Sequence, residues 1–144
     1  MKKHLLSLTI LTIIVVLTGC KKDGIDPNGP QGLMTKKWRI TSVVMVNADG
    51  EQTDGFLDEC RKDDIRNYES TGKFILETGP KHCFEEETGQ VGTWELRENS
   101  KKLYMYVEGR GYYRDSIVEL TGNTLKLGTS YDDYFMIETY VPQN

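Results

Sequence analysis

Short runs of β-branched and aromatic residues alternate with glycine, asparagine and aspartate turn signals from about residue 32 to the end of the chain. These runs predict eight strands, at residues 38–46, 64–69, 73–78, 91–97, 102–107, 112–120, 124–127 and 134–141. Residues 51–61 show no clear period and are predicted as a long loop or a short helix. No helical segment longer than a turn or two is predicted.

Eight consecutive strands with mostly short connections favour an all-β domain, an eight-stranded antiparallel up-and-down barrel. Closing the sheet removes the exposed edges that an open sheet would leave. A barrel of this size has interior space for packed side chains or for one small ligand. Alternation along the strands predicts this barrel lining: Trp38, Ile40, Val44, Trp94, Leu96, Leu103, Met105, Val107, Leu125 and Leu127. On the last strand alternation defines two sets without deciding which points inward: Phe135, Ile137 and Val141, or Tyr134, Met136, Glu138 and Tyr140.

The first 20 residues follow a different pattern. Lys2 and Lys3 precede an apolar run from Leu5 to Leu17, which is shorter than the roughly 20 residues that span a bilayer. The sequence Leu-Thr-Gly-Cys that ends at Cys20 resembles the lipobox of bacterial lipoprotein signal peptides. That resemblance implies cleavage before Cys20 and acylation of its thiol. An uncleaved membrane anchor is the alternative.

The chain therefore divides into three predicted parts: a signal peptide at 1–19, a lipidated Cys20 with a flexible tether at 20–31, and a barrel domain at 32–144. Two or three acyl chains would hold the protein on a membrane almost permanently. We expect a cell-envelope protein, anchored by lipid to the outer membrane. Whether its domain faces the periplasm or the cell surface stays open.

Charge excludes one class of partner. The 144 residues include 18 basic and 22 acidic side chains, a formal charge of −4. Removal of Lys2 and Lys3 with the signal peptide leaves 16 basic residues against 22, a charge of −6. Nucleic-acid binding normally needs a basic face or stripe, so no nucleic-acid partner is predicted.

The remaining cysteines, Cys60 and Cys83, form an even pair in an exported chain, where disulfides form and persist. We predict a structural disulfide between them, closing a loop worth about 3 kcal/mol in chain-entropy models. A metal pair is the alternative, but the only nearby histidine, His82, leaves a tetrahedral set incomplete. A catalytic cysteine would need an activating base. No metal site and no cofactor are predicted.

Catalytic motifs are absent from the sequence. After removal of the signal peptide His82 is the single histidine, and neither a G-x-S-x-G elbow nor a P-loop, H-E-x-x-H or G-x-G-x-x-G sequence occurs. Paired carboxylates alone can run hydrolysis, but the acidic clusters at 63–64, 85–87 and 132–133 are adjacent residues that do not specify such a pair. We expect no catalytic residues and a protein that is not an enzyme.

Six stretches of the domain together resemble one family. They are LMTKKW at 33–38, CRKDDI at 60–65, STGKF at 70–74, Cys83, GTWEL at 92–96 and LTGNTLKL at 120–127. Their order and spacing are similar to those of the lipocalin-like domains common in lipoproteins of Bacteroidetes. The resemblance covers nearly the whole domain and implies a lipocalin-like barrel.

Two functions follow as hypotheses. A monomeric, membrane-anchored barrel could bind a small apolar or amphipathic ligand in its lumen. Alternatively, a packed barrel could bind a protein partner, as an inhibitor or accessory subunit, through a patch beside the Gly109–Gly111 turn. Tyrosine and arginine are favoured at binding hot spots, and the candidate patch contains Tyr104, Tyr106, Arg110, Tyr112 and Tyr113.

Overall fold

A computed structural model of the chain describes residues 24–84 and 88–143. The elements are a short helix α1 (Pro30–Met34) and nine strands, which are β1 (Lys37–Asn47), β2 (Gln52–Asp54), β3 (Ile65–Tyr68), β4 (Lys73–Glu77), β5 (Gln90–Arg97), β6 (Lys102–Val107), β7 (Gly111–Leu120), β8 (Leu125–Ser130) and β9 (Tyr134–Pro142). A single 3₁₀ turn covers Glu59–Arg61. The predicted signal peptide, Cys20, the start of the tether and the glutamate run at 85–87 lie outside the described residues.

The nine strands form one antiparallel sheet that closes on itself. Strands β3 to β9 pair in sequence order, and β1 pairs with both β3 and β9. Eight strands therefore make a closed up-and-down barrel, which confirms the predicted fold. The ninth strand, β2, folds back along the far half of β1 and pairs with Val44–Val46. It lies in the segment predicted as a loop or short helix, where three exposed residues carry no hydrophobic alternation.

One end of the barrel is closed by α1 and three tight turns. Trp38 is fully buried, and its indole Nε1 donates to the carbonyl of Met34 in α1 at 3.1 Å. The β3–β4 turn needs Gly72, whose φ of +82° lies in the left-handed region that favours glycine. Helix α1 begins at Pro30, two residues before the predicted start of the domain, because a proline at N1 is pre-organised for a helix.

Strand β1 carries a β-bulge that changes which of its residues point inward. The register with β9 shifts between Ile40 and Ser42, so one extra residue is inserted into the alternation. Val43 consequently lies in the core at 6% exposure, while Val44 is half-buried. The prediction that Val44 shares the inner face with Trp38 and Ile40 is wrong, because simple parity cannot anticipate a bulge.

The core fills the closed half of the barrel. Its buried members include Trp38, Tyr68, Trp94, Leu103, Leu125, Leu127 and Tyr140, together with Met34 of α1. The rings of Tyr68 and Trp94 meet edge to face at 5.5 Å between centroids, a favoured aromatic geometry. Among the described residues, no helix has the length and apolar character needed to cross a membrane.

Candidate ligand-binding site

The open half of the barrel contains a cavity of about 550 Å³. We call it the lumen cavity. Its apolar wall consists of inward-facing side chains of β4 and β6, namely Phe74, Leu76, Met105 and Val107. Its polar wall contains Arg61, Asp64, Arg66, Gln90, Arg110 and Tyr113. The cavity opens to solvent at the end opposite α1, beside the exposed ring of Phe84.

Two loops joined by a disulfide form the rim on one side. Cys60 and Cys83 are bonded, with their Cα atoms 5.2 Å apart, which confirms the predicted pairing. Asp63 Oδ2 accepts from the backbone amide of Lys81 at 3.1 Å, and Asp64 Oδ1 accepts from that of Gly79 at 3.2 Å. A Cβ at Gly79 would lie 2.3 Å from Asp63 Cγ, so glycine allows this close approach. The covalent bond and these hydrogen bonds fix the rim.

A charged network lies between this rim and the core. Glu138 on β9 accepts from Arg61 Nη2 at 2.9 Å and from Arg66 Nη2 at 3.2 Å. Tyr140 Oη donates to the same carboxylate at 2.5 Å, and the guanidinium of Arg66 stacks 4.9 Å from the Tyr140 ring centroid. A buried charge is costly unless it is paired and hydrogen-bonded, and here one acid is shared by two cations and a phenol.

The pKa values of the two buried acids in this region shift in opposite directions. Burial alone would raise the pKa of Glu138, but the charge of Arg66 and the hydrogen bonds from Tyr140 and Arg61 together lower it. Asp115 on β7 is also buried and accepts from Thr129 Oγ1 at 2.8 Å. Its desolvation outweighs that bond and the charge of Arg66, so the pKa of Asp115 is raised. Burial raises the pKa of Tyr68 to about 12.

The structure places the predicted lining residues at two depths. Met105 and Val107 form part of the lumen cavity wall. Trp38, Trp94, Leu103, Leu125 and Leu127 are buried in the core, and Leu96 is partly buried against it. Ile40 borders a second void of only about 50 Å³, next to Arg66 and Tyr140.

On β9 the inward set is the one with Tyr134, Met136, Glu138 and Tyr140, because Tyr140 pairs with the buried Leu125.

The predicted protein-contact patch is split between the two faces of the barrel wall. Tyr104, Tyr106 and Tyr112 lie on the outer face, and the rings of the last two are 4.9 Å apart. Tyr113 pairs with the inward-facing Met105, and both Tyr113 and Arg110 line the lumen cavity. The prediction of one continuous patch is therefore wrong, because neighbouring residues of a strand point to opposite faces.

The three outer tyrosines border a surface depression of about 630 Å³. We call it the outer groove. Arg97 lies over the Tyr104 ring at 4.6 Å and pairs with Glu95, while Tyr104 Oη donates to Glu98 at 3.1 Å. Tyr112 is 87% exposed. The polar groups of this face are mostly engaged with one another.

Sequence reasoning missed most of the cavity wall. Phe74 and Leu76 share parity on β4, and their run KFILE contains the alternation that could have found them. Arg66 and Glu138 also have inward parity, Arg66 with Tyr68 and Glu138 with Tyr140. Opposite charges at inward positions of β3 and β9 were the available signal for a buried ion pair.

His82 is exposed on the rim loop, as are Asp132 and Asp133 in the β8–β9 turn. Within residues 24–84 and 88–143, no group of three or more histidine, cysteine or acidic side chains is arranged to hold a metal ion. The histidine therefore lies beside the disulfide without forming part of a larger cluster in this part of the chain.

Geometry and topology together define a class: a closed antiparallel β-barrel with a packed closed end and an internal cavity at its open end. The sequence profile of the lipocalin-like domain family matches residues 34–127. The chain belongs to this family.

Comparison with solved structures gives the same fold. A crystal structure of a lipocalin-like protein from Bacteroides uniformis ATCC 8492 is similar to this chain with a TM-score of 0.52 and 13% sequence identity. The match covers 78% of this chain and 100% of that protein. No curated protein matches the sequence. The lipocalin-like fold supports a protein of the binding type.

Proposed function

We propose that this protein is a non-catalytic binding protein that holds a small amphipathic molecule in the lumen cavity. One observation carries the proposal: a cavity of about 550 Å³ lies inside the barrel and is lined by both apolar and polar side chains. Ligand pockets occupy about 300–1,000 Å³ and combine apolar walls with a few polar groups. The lumen cavity has both properties.

The wall chemistry favours an amphipathic ligand over a wholly apolar one. Phe74, Met105 and Val107 line this space and would pack against an apolar body. Arg110 lines the same space and would lose hydration without compensation if the ligand carried no polar group. A ligand with an apolar body and a polar head satisfies both walls.

The carboxylates of the interior support a binding role without catalysis. Glu138 is held by two arginines and Tyr140, and Asp115 by Thr129. A general acid and base pair needs two groups free to exchange protons with substrate. These interior acids are instead committed to hydrogen bonds within the protein.

Fluorescence of the neutral dye N-phenyl-1-naphthylamine, with the full chain in lipid nanodiscs, tests lumen binding. We expect saturable enhancement above that of empty nanodiscs. Leu76→Trp places a larger side chain in the cavity and should abolish the enhancement. Val91→Trp lies on the outer face of β5, where Val91 is 37% exposed, and should preserve it. Equal signals from both variants would contradict lumen binding.

A second candidate function is binding of a protein partner at the outer groove. The observation favouring it is the exposure of Tyr112 and Tyr106, at 87% and 40%, since tyrosine is common at hot spots. A photo-crosslinking residue at Tyr112 should give a discrete adduct in cells. The same residue at Tyr131, exposed on the β8–β9 turn, should not. Adducts of equal yield at both sites would exclude a specific partner at the groove.

The proposed setting is the outer membrane, with Cys20 acylated after cleavage of residues 1–19 and the barrel acting as a monomer. The Leu-Thr-Gly-Cys sequence supports the cleavage and the acylation. Metabolic labelling with an alkyne analogue of palmitate should mark the wild-type protein and leave Cys20→Ala unlabelled. Labelling that survives the substitution would contradict acylation at Cys20.

A further inference from the structure

We infer that the lumen cavity selects ligands with an anionic head group, and that Arg110 binds that head. This inference rests on the proposed lumen binding and adds the charge of the ligand and the residue that recognises it. It follows from the state of the three arginines that line the cavity, Arg61, Arg66 and Arg110.

Arg61 and Arg66 already share a carboxylate of the protein. Each gives an Nη2 hydrogen bond to Glu138, at 2.9 Å and 3.2 Å. Asp64 lies beside both of them around the smaller void. A ligand anion at these two arginines would have to compete with carboxylates held in place by the fold, so they are poor candidates for the head-group site.

Arg110 differs because its hydrogen-bond partner is neutral. With the Gln90 amide oriented to satisfy its hydrogen bonds, its oxygen accepts from Arg110 Nε at 2.9 Å and from Nη2 at 3.0 Å. Among the described residues no carboxylate forms an ion pair with this guanidinium. Its charge therefore has no acidic partner in that part of the chain.

Gln90 also determines which donors stay available. The Nε and Nη2 edge of the guanidinium is occupied by the amide oxygen, which holds the plane of the group. The adjoining edge, formed by the two terminal nitrogens, carries one N–H on each, and these two parallel donors match two oxygens of a carboxylate or phosphate. Gln90 thus positions Arg110 for bidentate recognition without neutralising it.

The surroundings of Arg110 favour an acid over an amine. Tyr113, which lines the same cavity, offers a phenolic O–H as a further donor. Asp58 and Asp64 are the acidic lining residues, and Asp64 already accepts from the Gly79 amide. An ammonium head in this space would lie near an uncompensated guanidinium, and like charges repel.

Isothermal calorimetry with the full chain in nanodiscs tests the inference with three probes of equal chain length: octanoate, octanol and octyltrimethylammonium. Heats from empty nanodiscs are subtracted. We expect octanoate to bind about tenfold or more tightly than either other probe. Arg110→Gln should lower octanoate affinity about tenfold and should lower octanol affinity much less, because a neutral hydroxyl forms no ion pair with the guanidinium. Arg39→Gln, an exposed arginine on β1, is the matched control and should change neither.

The outcomes separate this inference from the proposed function. Equal affinities for octanoate and octanol, or no effect of Arg110→Gln, would overturn the anionic selectivity while lumen binding stands. No binding of any probe, together with no dye enhancement in the experiment above, would overturn both. A circular dichroism spectrum of Arg110→Gln that matches the wild type would show that the loss is not caused by unfolding.

Discussion

Glu138 organises the charged part of the interior. Its side chain is only 9% exposed, yet it is bonded to Arg61, Arg66 and Tyr140. These partners come from the rim loop, from β3 and from β9 itself, so one carboxylate connects the rim to two strands of the wall. Removal of one partner from a buried ion pair leaves uncompensated charge, which is the costly way to break it.

Substitution of Glu138→Gln should destabilise the fold by about 3 kcal/mol, because Arg61 and Arg66 would lose their shared counter-ion. Urea unfolding followed by tryptophan fluorescence measures the loss. Glu119→Gln is the matched control, since Glu119 pairs with Lys126 at the surface with both side chains more than one-third exposed. That change should cost less than about 1 kcal/mol. Equal losses from both would contradict the role given to Glu138.

Asp115 is expected to weaken the fold at neutral pH. Because burial raises its pKa in the folded state above the ordinary value of 3.8, the folded protein binds the proton more tightly than the unfolded chain. Stability therefore falls as pH rises from 3.8 through the folded pKa. Above the folded pKa the full cost of ionising Asp115 is present, and below 3.8 it is absent.

Asp115→Asn should consequently raise the urea midpoint at about pH 7, while an Asn oxygen can still accept from Thr129. The advantage should shrink towards zero at about pH 3, where wild-type Asp115 is protonated in both states. Unfolding curves of the two proteins at both pH values check this. A variant that is less stable than the wild type at neutral pH would show that the charge of Asp115 is stabilising.

At the scale of elements, strand positions could be predicted closely, while the direction of some side chains could not. The period-two pattern is local, so β6 was predicted at its observed bounds and the other barrel strands within a few residues of theirs. The bulge at Ile40–Ser42 depends on pairing with β9, which is remote in sequence. The alternation of residues along the strand therefore predicts the wrong face for Val44, and it does not show which residues of β9 point inward.

The functional site was harder to predict for a related reason. Tyr112 and Tyr113 both flank the Gly109–Gly111 turn in the sequence, but on the strand one ring points outward and the other inward. The rim loops have no periodicity, and only the closed barrel brings them to Arg110 and Gln90. The disulfide is the exception. Only two cysteines remain after Cys20, so their pairing could be predicted without knowledge of the fold.

Gly92 permits the close approach of β5 and β6. A Cβ at this position would lie 1.9 Å from the carbonyl oxygen of Tyr106, which is backbone and cannot move without separating the strands. Gly92→Ala should therefore lower the thermal midpoint by several degrees or prevent folding. Gly122→Ala, where no atom lies within 4 Å, should have little effect. Differential scanning fluorimetry compares them, and similar midpoints would contradict this account.

At the scale of the whole molecule, the two ends of the barrel are unlike. The chain enters at the closed end through α1, where Lys36 Nζ donates to the carbonyl of Gly122 at 2.7 Å. The cavity lies at the other end, beside the β6–β7 turn with Arg110. A lipid anchor at Cys20 would therefore hold the closed end nearer the membrane and leave the mouth of the barrel facing away from it.

Spin labels test this orientation in nanodiscs that contain a nickel-chelating lipid. A label at Asn123→Cys, in the closed-end turn, should be relaxed more strongly by the lipid-bound nickel than a label at Asp132→Cys in the open-end turn. Electron paramagnetic resonance power saturation measures the difference. Stronger relaxation at Asp132→Cys would place the mouth against the membrane and contradict the proposed arrangement.

In the proposed function the interior of the barrel, and not its surface, holds the ligand. Methyl and aromatic NMR spectra of the full chain in nanodiscs, recorded with increasing N-phenyl-1-naphthylamine, distinguish the two sites. We expect saturable shifts at Leu76, Met105 and Val107 in the lumen cavity. Saturable shifts confined to Tyr104, Tyr106 and Tyr112 of the outer groove, or no shifts at either site, would contradict it.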